Sequence, residues 1–333
     1  MSLLKLRLSM YGTLALIIAV STLFFAAILA AVGVSLIFLV GIVLVFNLLQ
    51  WLYAPKLIEA IYKVRELKPY EAPRLHEIFD RLVARIGLKE KPKLMIADLP
   101  IPNAFAYGSP LTGNRVAVTG ELLRTLEEEE VEAVLGHELG HLKHRDVQVM
   151  MFASVLPAIF YFIGYSLLLS AYFGGFEERR GEGAALPMLI GAGSLAIYWI
   201  LSLCVLGLSR CREYYADRAS VSIVDDGARK LSEALAKIVY YTGRVKQRLK
   251  EEIGVANSFR TLFIADPGKA ESDIEGLSSL GFRRHLSDQA LVREIASRRL
   301  TLADRIAEIF STHPNIVKRI RVLQQLAGQK STY

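Results

Sequence analysis

The sequence predicts a mainly α-helical integral membrane protein, with four transmembrane helices in two hairpins and an α+β domain that contains a small antiparallel sheet. Hydrophobic residues make up 53% of the 333-residue chain, more than an ordinary soluble domain carries. They are concentrated in three stretches that contain no charged residue, 8–55, 147–176 and 183–209. Between these stretches the chain is polar, and its apolar residues recur at helical or strand spacing.

The uncharged stretches set the number of membrane spans. A transmembrane helix needs about 20 apolar residues, so residues 8–54 are long enough for two spans and a tight turn. The second pair of spans is predicted within 147–208, around a charged turn. A cleaved signal peptide is not expected, because a second apolar span follows the first one at once. The segments 56–146 and 209–333 then form the two parts of the α+β domain.

The basic residues favour one orientation in the membrane. Lysine and arginine lie just outside both hairpins, whereas the first turn is uncharged and the second has three glutamates against two arginines. The positive-inside rule therefore predicts a multi-pass protein of the plasma membrane, with both termini and the α+β domain in the cytoplasm. This orientation explains the net charge of +7, and no basic run interleaved with aromatic residues indicates a nucleic-acid partner.

Within the α+β domain the pattern changes from helix to strand and back. Residues 73–87 have the spacing of an amphipathic helix that ends at a glycine. Three strand-like pieces follow, at 92–98, 103–109 and 115–120. The turn sequence PLTGN between the last two favours an antiparallel arrangement. Further helices are predicted at 123–145, 210–222, 227–252 and about 313–326. Residues 265–311 are polar and mixed, so loop and short helices are expected there, and their role is not predicted.

The sequence GHELGHLKHRD at 136–146 carries the main candidate site. On a helix, His137 and His141 lie one turn apart on one face, the spacing that two imidazoles need to bind one tetrahedral zinc ion. Glu138, beside that face, is in position to act as general base toward an attacking water. The pentad alone is short, so a charged helix with two solvated histidines is the competing interpretation. The charged flanks argue against an intramembrane site, and Val147 excludes the metzincin pattern.

A third ligand follows from the second predicted hairpin. In an antiparallel hairpin, residues at equal height have numbers with a roughly constant sum, so His141 faces the window 207–231. That window contains Glu213 and Asp217, one helical turn apart on the same face. Glu213 is the candidate third ligand, and Asp217 is the candidate acceptor for the free N–H of a ligand histidine. The alternative is that both carboxylates pair with neighbouring arginines at the surface.

The combined motifs resemble the HtpX-type membrane zinc metalloproteases, relatives of the CAAX prenyl proteases. The matching pieces are PNAFAYG (102–108), VAVTGELL (116–123), HELGHLKHRD (137–146), SRCREYYAD (209–217) and STHPNIVKRIRVL (311–323). The resemblance implies a gluzincin-like, zincin-type catalytic domain with one Zn²⁺ per chain on His137, His141 and Glu213. Glu138 is then the base, and Asp217 supports a ligand. It also implies cleavage of membrane or misfolded proteins at a site that faces the cytoplasm.

Two further segments gain a role from the resemblance. NAFAYG is similar to the family's edge strand that pairs with an extended substrate, so the expected substrate-binding residues are Asn103, Ala104, Phe105 and Ala106. His313 and Arg319 resemble the family's pair near the oxyanion, where such groups stabilise the tetrahedral intermediate. Taken without the resemblance, the strand is equally an ordinary core strand. His313 and Arg319 are then a helix start and a surface charge.

The sequence therefore predicts a zinc endopeptidase of the membrane that acts in protein quality control. Its partners are membrane-protein or unfolded polypeptide substrates and the lipid bilayer. A CAAX-type prenyl-peptide protease is a second interpretation, but those relatives have more spans and a larger internal chamber. A non-catalytic membrane scaffold or metal carrier is a third, disfavoured because the ligands lie outside the spans. The natural substrate and the oligomeric state are not predicted.

Overall fold

The computed structural model describes residues 36–173, 185–248 and 287–330. The predicted first span, the turn of the second predicted hairpin and residues 265–286 lie outside these described residues. The chain forms two compact units. The first comprises residues Met1–Trp51 and Gln148–Cys211, and the second comprises Leu52–Val147 and Arg212–Tyr333. The domain boundaries predicted from the sequence stay predictions.

The elements of the described residues are mostly helices. The first part of the chain contains α1 (Leu36–Ile61), β1 (Arg65–Glu66), α2 (Pro73–Ile86), β2 (Lys93–Ala97), β3 (Ala104–Ser109) and β4 (Gly113–Thr119). The middle contains α3 (Gly120–Thr125), α4 (Glu128–Lys143), α5 (Asp146–Phe173), α6 (Ala185–Ile223) and α7 (Gly227–Arg248). The last part contains α8 (Asp288–Ser297), α9 (Leu302–Ile309) and α10 (Ile316–Lys330).

In the first unit, α5 and α6 pack as an antiparallel pair. Gly164 and Gly191 make the close approach possible, because a Cβ atom on Gly164 would lie 2.9 Å from the carbonyl oxygen of Gly191. Around this contact Phe160 and Leu201 are fully buried, whereas Trp199 is 60% exposed. Among the described residues, Asp146–Ser170 in α5 and all of α6 are long and apolar enough to cross a membrane. Two spans of the four predicted therefore have a described counterpart.

The second unit is built around a helical core and one sheet. The apolar face of α2 buries Ile78, Phe79 and Leu82, as the sequence spacing predicts. The helix ends at Gly87, which has a φ of 68° and suits the left-handed terminal position. This core includes apolar residues from α4, α7, α8 and α10. The segment predicted as polar and mixed therefore contributes two helices, α8 and α9, to the structure.

The sheet has the strand order β1-β2-β4-β3 and is mixed. β3 and β4 form the expected antiparallel hairpin, with Ala106 opposite Val116. β2, however, is parallel to β4, with Leu94 opposite Val116, so the prediction of an antiparallel sheet is wrong. The reason is the connection after β2, which carries the chain to the far edge of the sheet. β4 then returns between β2 and β3, and β3 becomes an edge strand.

The segment 123–145, predicted as one helix, forms two helices in the structure. α3 ends at Thr125, and α4 begins at Glu128. Glu127 caps α4 in a reciprocal arrangement with Glu130, in which each side chain accepts from the other residue's backbone N–H. Four consecutive glutamates therefore do not continue one helix, because the first of them starts a new one.

Candidate active site

The helix that carries the HExxH pentad is buried over most of its surface. His137 is fully buried and Glu138 is 3% exposed, although both are polar. Helices α2 and α7 and strand β3 pack against α4, so the pentad lies inside the second unit. The interpretation of two solvated histidines on a charged helix is therefore wrong. Buried polar side chains of this kind require partners, because an unpaired polar group in a protein interior costs free energy.

Two glycines allow the end of α6 to approach the pentad closely. A Cβ atom on Gly140 would lie 2.8 Å from Cβ of Ala219 and 3.1 Å from Cα of Ala216. Gly136 lies against Ser220, whose hydroxyl donates to the carbonyl of Ala133 at 2.6 Å. Gly136 and Gly140 are one helical turn apart and form a groove on α4 for the other helix. Glu213 and Asp217 are thereby carried to the histidine face of α4.

The side chains of His137, His141 and Glu213 meet at one point. The two Nε2 atoms of the histidines are 3.1 Å apart. Oε2 of Glu213 lies 3.6 Å from Nε2 of His137, and its Oε1 lies 3.5 Å from Nε2 of His141. Among the described residues, this trio is a group of side chains that could hold a metal ion. The three residues that the sequence analysis proposed as ligands are therefore neighbours in the structure.

These spacings fit a tetrahedral metal ion. Metal–ligand bonds of about 2.0–2.2 Å hold the ligand atoms of a tetrahedral zinc about 3.4 Å apart, and the three distances in this structure lie on either side of that value. The two imidazoles also point ring nitrogens at each other across 3.1 Å, which an ion between them explains. Three candidate ligands would leave one position of a tetrahedral ion open, as in catalytic rather than structural zinc sites.

The outer nitrogen of His137 is held by Asp217. Nδ1 of His137 lies 2.9 Å from Oδ1 of Asp217, and both side chains are almost fully buried. A carboxylate in this position fixes the tautomer and the orientation of a ligand imidazole. Asp217 is in turn held by Arg319, whose Nη2 and Nε donate to its two oxygens at 2.6 and 3.0 Å.

Arg319 joins the two carboxylates of α6 from the C-terminal helix. Its Nη1 lies 3.0 Å from Oε2 of Glu213, and its side chain is 1% exposed. Burial lowers the pKa of the guanidinium, but Asp217 and Glu213 more than compensate and keep the pKa above its usual value. The carboxylates therefore do not form the surface pairs with neighbouring arginines that were the alternative. Their partner comes from a helix about a hundred residues further along the chain.

Asp146 is a site residue that the sequence analysis did not single out. Its Oδ2 lies 2.5 Å from Nδ1 of His141, and its other oxygen forms an ion pair with the buried Arg212. The chain turns sharply between α4 and α5, where Arg145 has a φ of 55°. This turn brings the first residue of α5 back over His141. Ligand histidines almost always donate their second N–H to an acceptor, so the sequence indicated that His141 needs such a partner but did not identify Asp146 as that partner.

Glu138 faces strand β3. The backbone N–H of Ala106 donates to its carboxylate. Burial raises the pKa of the Glu138 carboxyl, while His137 and His141 oppose the rise. Thr119 donates to the carbonyl of Asn103, so by the alternation of an antiparallel pair the N–H of Ala106 points away from β4. The catalytic-base candidate and the edge of the sheet are therefore in direct contact.

The remaining candidates lie around this centre with different accessibility. Nε2 of His313 is 3.6 Å from Oε1 of Glu213, so its ring borders the metal-ligand group. Asn103, Ala104 and Phe105 are each at most 3% exposed, whereas Ala106 is partly exposed. Of the four predicted substrate-binding residues, Ala106 is therefore the one that is not fully buried.

The site has an excess of negative charge that a divalent cation would balance. Four buried carboxylates, those of Glu138, Asp146, Glu213 and Asp217, face two buried guanidiniums, those of Arg212 and Arg319. With all six groups ionised, two negative charges remain uncompensated. Buried charges are normally paired or coordinate a metal. The spacing of the candidate ligands and the charge balance therefore both fit a bound divalent cation.

A buried His–His–Glu group with an adjacent carboxylate, in a chain whose described residues are largely helical and include two membrane-length apolar helices, defines a membrane metallohydrolase. The sequence model of the family described as "Peptidase family M48" matches residues 69–327. This range contains every side chain of the candidate site. The chain belongs to peptidase family M48, and it is a metalloprotease that hydrolyses peptide bonds.

Individual relatives agree with this assignment. "Protease HtpX homolog" of Thermoplasma acidophilum is 35% identical over 339 residues, covering 98% of this chain and 99% of the relative. "Protease HtpX homolog" of Aeropyrum pernix is 38% identical over 299 residues, covering 89% and 88%. The structure described as "Crystal Structure of S. mikatae Ste24p" has a TM-score of 0.51 at 18% identity. The structural match covers 96% of this chain and 66% of the Ste24p chain. The predicted resemblance to HtpX-type proteases is confirmed, and the last comparison shows a similar fold.

Proposed function

We propose that the metal is a single Zn²⁺ ion held by His137, His141 and Glu213. The observation that carries this proposal is the spacing of the ligand atoms. Two imidazoles and one carboxylate at 3.1 to 3.6 Å from one another form a donor set of catalytic zinc sites. When bound, zinc supplies Lewis-acid polarisation of the scissile carbonyl and lowers the pKa of the attacking water.

Glu138 acts as general base toward the attacking water and then as general acid toward the leaving amine. Its carboxyl is adjacent to the ligand group without belonging to it, and burial raises its pKa. A carboxylate whose pKa is closer to neutrality accepts a proton from the attacking water more effectively. Glu138 accepts that proton and then donates it to the nitrogen of the leaving amine. The N–H of Ala106 holds the carboxylate toward the strand on which the substrate lies.

His313 and Arg319 contribute in different ways. The ring of His313 borders the ligand group and is the candidate hydrogen-bond donor to the oxyanion of the tetrahedral intermediate. Arg319, which the resemblance pairs with it, is engaged with Asp217 and Glu213. Arg319 therefore acts on the reaction mainly by fixing these two carboxylates. Asp217 and Asp146 orient the two imidazoles.

The substrate binds as an extended strand along the free edge of β3. Main-chain pairing at a sheet edge holds a peptide without demanding a particular sequence, which suits membrane or unfolded proteins of many sequences. β3 is an edge strand. The strand alternation that turns the N–H of Ala106 toward Glu138 also turns its carbonyl away from β4, to the edge where the substrate is proposed to pair. Asn103, Ala104 and Phe105 support this position from the buried part of the strand.

The enzyme is a multi-pass protein of the plasma membrane, with four spans and with both termini and the catalytic part in the cytoplasm. The basic residues outside the predicted hairpins support this orientation. The bilayer is then its permanent partner, and no nucleic acid is required. The CAAX-type and non-catalytic interpretations have no better support than the quality-control protease.

A cleavage assay in detergent tests the mechanism. The zinc-loaded protein should cleave casein, an unfolded polypeptide, and Glu138→Gln should reduce kcat by about 10²–10⁴-fold, the usual contribution of a general base. Glu138→Gln should retain its zinc, because the side chain is not a ligand. Full activity in a zinc-loaded Glu138→Gln protein would exclude the proposed role of this residue.

A further inference from the structure

Helix α9, which precedes His313 in the chain, carries its large apolar side chains on the outside. Leu302 is 76% exposed, Ile306 58%, Ile309 45% and the adjoining Phe310 59%. At 3.6 residues per turn, the three helical members of this group fall within an arc of about 60°. We call these four residues the α9 patch. Single exposed apolar residues are ordinary, whereas a group of them on one face indicates contact with another protein or with a membrane.

The exposed charges beside the α9 patch are both positive. Arg299, just before the helix, and Arg305, on the helix, are exposed. Arg305 is three residues after Leu302 and four before Ile309, so it borders the apolar arc. Neither guanidinium forms an ion pair or a hydrogen bond with another of the described residues. Within 297–310 the structure exposes no acidic side chain, so this face of the molecule is apolar and basic.

The acidic side chains of α9 are directed away from the α9 patch and are paired there. Asp304 pairs with Arg298. Glu308 is buried, accepts from the backbone N–H of Asn315 and pairs with Lys318. Rotating α9 to bury its apolar side chains would break these contacts. The ion pairs therefore hold the apolar arc outward and leave Arg299 and Arg305 as its uncompensated charges.

This arrangement is typical of a helix that lies in a membrane surface. Interfacial helices place large apolar side chains among the acyl chains. Flanking arginines keep their charged ends at the lipid headgroups while their stems lie along apolar surface. The second unit includes the first residues of α5 and the last turns of α6, the two helices that are apolar enough to cross a membrane. α9 is therefore tethered to any bilayer that these helices span, and a short helix suffices for docking because the tether raises its effective concentration.

We propose that the α9 patch docks on the membrane surface, with its apolar side chains in the bilayer and with Arg299 and Arg305 at the headgroups of anionic lipids. The inference rests on the proposed membrane location and adds a lipid-binding surface on the catalytic unit, separate from the spans. Phe310 is three residues before His313, so docking anchors the segment that carries this histidine.

Two other occupants are less consistent with the charges. A second copy of the chain, placed on the same face by a twofold axis, would bring two further arginines to the contact. An unfolded polypeptide of varied sequence supplies no fixed anion for Arg299 and Arg305. The headgroups of an anionic bilayer supply negative charge along the whole surface.

Three full-length proteins with one tryptophan each test the inference in vesicles of three parts phosphatidylcholine to one part phosphatidylglycerol. The chain has two tryptophans, Trp51 and Trp199. The first protein retains only Trp199, which is 60% exposed on α6. The other two have phenylalanine at both positions and carry either Ile306→Trp or Tyr70→Trp, the latter at an 83% exposed position outside α9.

Phosphatidylcholine with brominated acyl chains should quench Trp199 and the Ile306→Trp reporter by about half or more. The reason is that an interfacial helix buries its apolar face about 5–10 Å into the boundary of headgroups and acyl chains. The Tyr70→Trp reporter should keep its emission in these vesicles and should be quenched by acrylamide in the water. Ile309→Trp is a second reporter on the α9 patch and should behave as Ile306→Trp does.

Each other outcome has a definite meaning. Quenching of Ile306→Trp by acrylamide and not by brominated lipid would place the patch in water and overturn the inference. Protection from both quenchers would mean that protein covers the patch, and would also overturn it. Equal quenching of Ile306→Trp and Tyr70→Trp by brominated lipid would overturn it as well, because α9 would not be distinguished. A Trp199 that brominated lipid does not quench would contradict the proposed membrane location itself.

Replacing the two arginines tests the headgroup contacts. Each basic side chain near an anionic surface contributes about fivefold to binding, so Arg299→Gln with Arg305→Gln should remove most of the lipid quenching of Ile306→Trp. Omitting phosphatidylglycerol should have the same effect on the unsubstituted arginines. Arg124→Gln, at an exposed position on α3, is the matched control and should leave the quenching unchanged. Full quenching in the double variant would show that the arginines do not hold the helix at anionic lipid, and would overturn the inference.

Discussion

Asp146 lies 2.5 Å from the outer ring nitrogen of His141, so the second histidine of the pentad has a carboxylate of its own. Asp217 provides the same contact for His137. Both acceptors are buried, and each is paired with a buried arginine, Arg212 or Arg319. The two imidazoles of the proposed metal site are therefore oriented by two carboxylate–arginine pairs, with one carboxylate from the start of α5 and one from α6.

Asp146→Ala should weaken zinc binding by about 10–100-fold, the usual effect of removing the acceptor of a ligand histidine. The substitution leaves all three ligands in place, so zinc should still bind at saturating concentration. Chelator competition on the purified protein measures the dissociation constant. Asp98→Ala, at an exposed position after β2, is the matched control and should leave it unchanged. An unaltered constant in Asp146→Ala would limit Asp146 to pairing with Arg212.

Gly140→Ala should damage the site without touching a ligand. The new methyl group would lie 2.8 Å from Cβ of Ala219, and the two helices would have to separate. Overpacking of this kind costs about 1–3 kcal/mol in unfolding free energy, and the displaced Glu213 should bind zinc less tightly. Denaturant unfolding and zinc content measure the two effects.

Gly328→Ala is the control for this substitution. Gly328 lies in helix α10, and a Cβ atom there meets nothing within 4 Å. Alanine is the better helix former by about 0.5–1 kcal/mol, so the control should be neutral or slightly stabilising. Equal behaviour of the two variants would mean that the groove on α4 is not needed for the site.

Ala106→Pro should lower kcat, because it removes the N–H that donates to Glu138. It should also raise KM, because a proline disrupts the strand edge along which the substrate is proposed to pair, while zinc content stays normal. Ala106→Ser keeps the N–H and serves as the control. Kinetics on casein-derived peptides measure both constants. If Ala106→Pro retained the wild-type KM, β3 would be a core strand without a role in substrate binding.

The orientation in the membrane is tested by reporter fusions. A reporter placed after Gly181 should be active outside the cytoplasm, and one fused after Tyr333 should be active inside. The reason is the excess of lysine and arginine on the proposed cytoplasmic side of both hairpins. The opposite pattern would refute the topology and would place the catalytic part outside the cell.

The sequence was most informative where the spacing of residues depends only on the geometry of a single helix or strand. The pentad spacing and the two carboxylates one turn apart on α6 are properties of single helices, and they led to the three side chains that the structure brings together. The helix at Pro73–Ile86 was likewise predictable from its apolar spacing.

The sequence was least informative where distant segments decide the outcome. The parallel pairing of β2 with β4 depends on where the chain crosses the sheet, and no local pattern records that crossing. Arg319 is charged and reads as a surface residue, yet two carboxylates about a hundred positions away draw it into the interior. The contact of Asp146 with His141 could not be predicted for a different reason. It depends on a sharp turn at Arg145, a residue with positive φ, and the sequence has no glycine there to indicate such a turn.

Zinc content by elemental analysis tests the central claim most directly. Wild-type protein and Glu138→Gln should each hold about one zinc ion per chain, because both keep two imidazoles and a carboxylate as ligands. Glu213→Ala removes one of the three ligands that meet at 3.1 to 3.6 Å and should hold almost none after dialysis. Full zinc content in Glu213→Ala would mean that the third ligand lies elsewhere and would contradict the proposed metal centre.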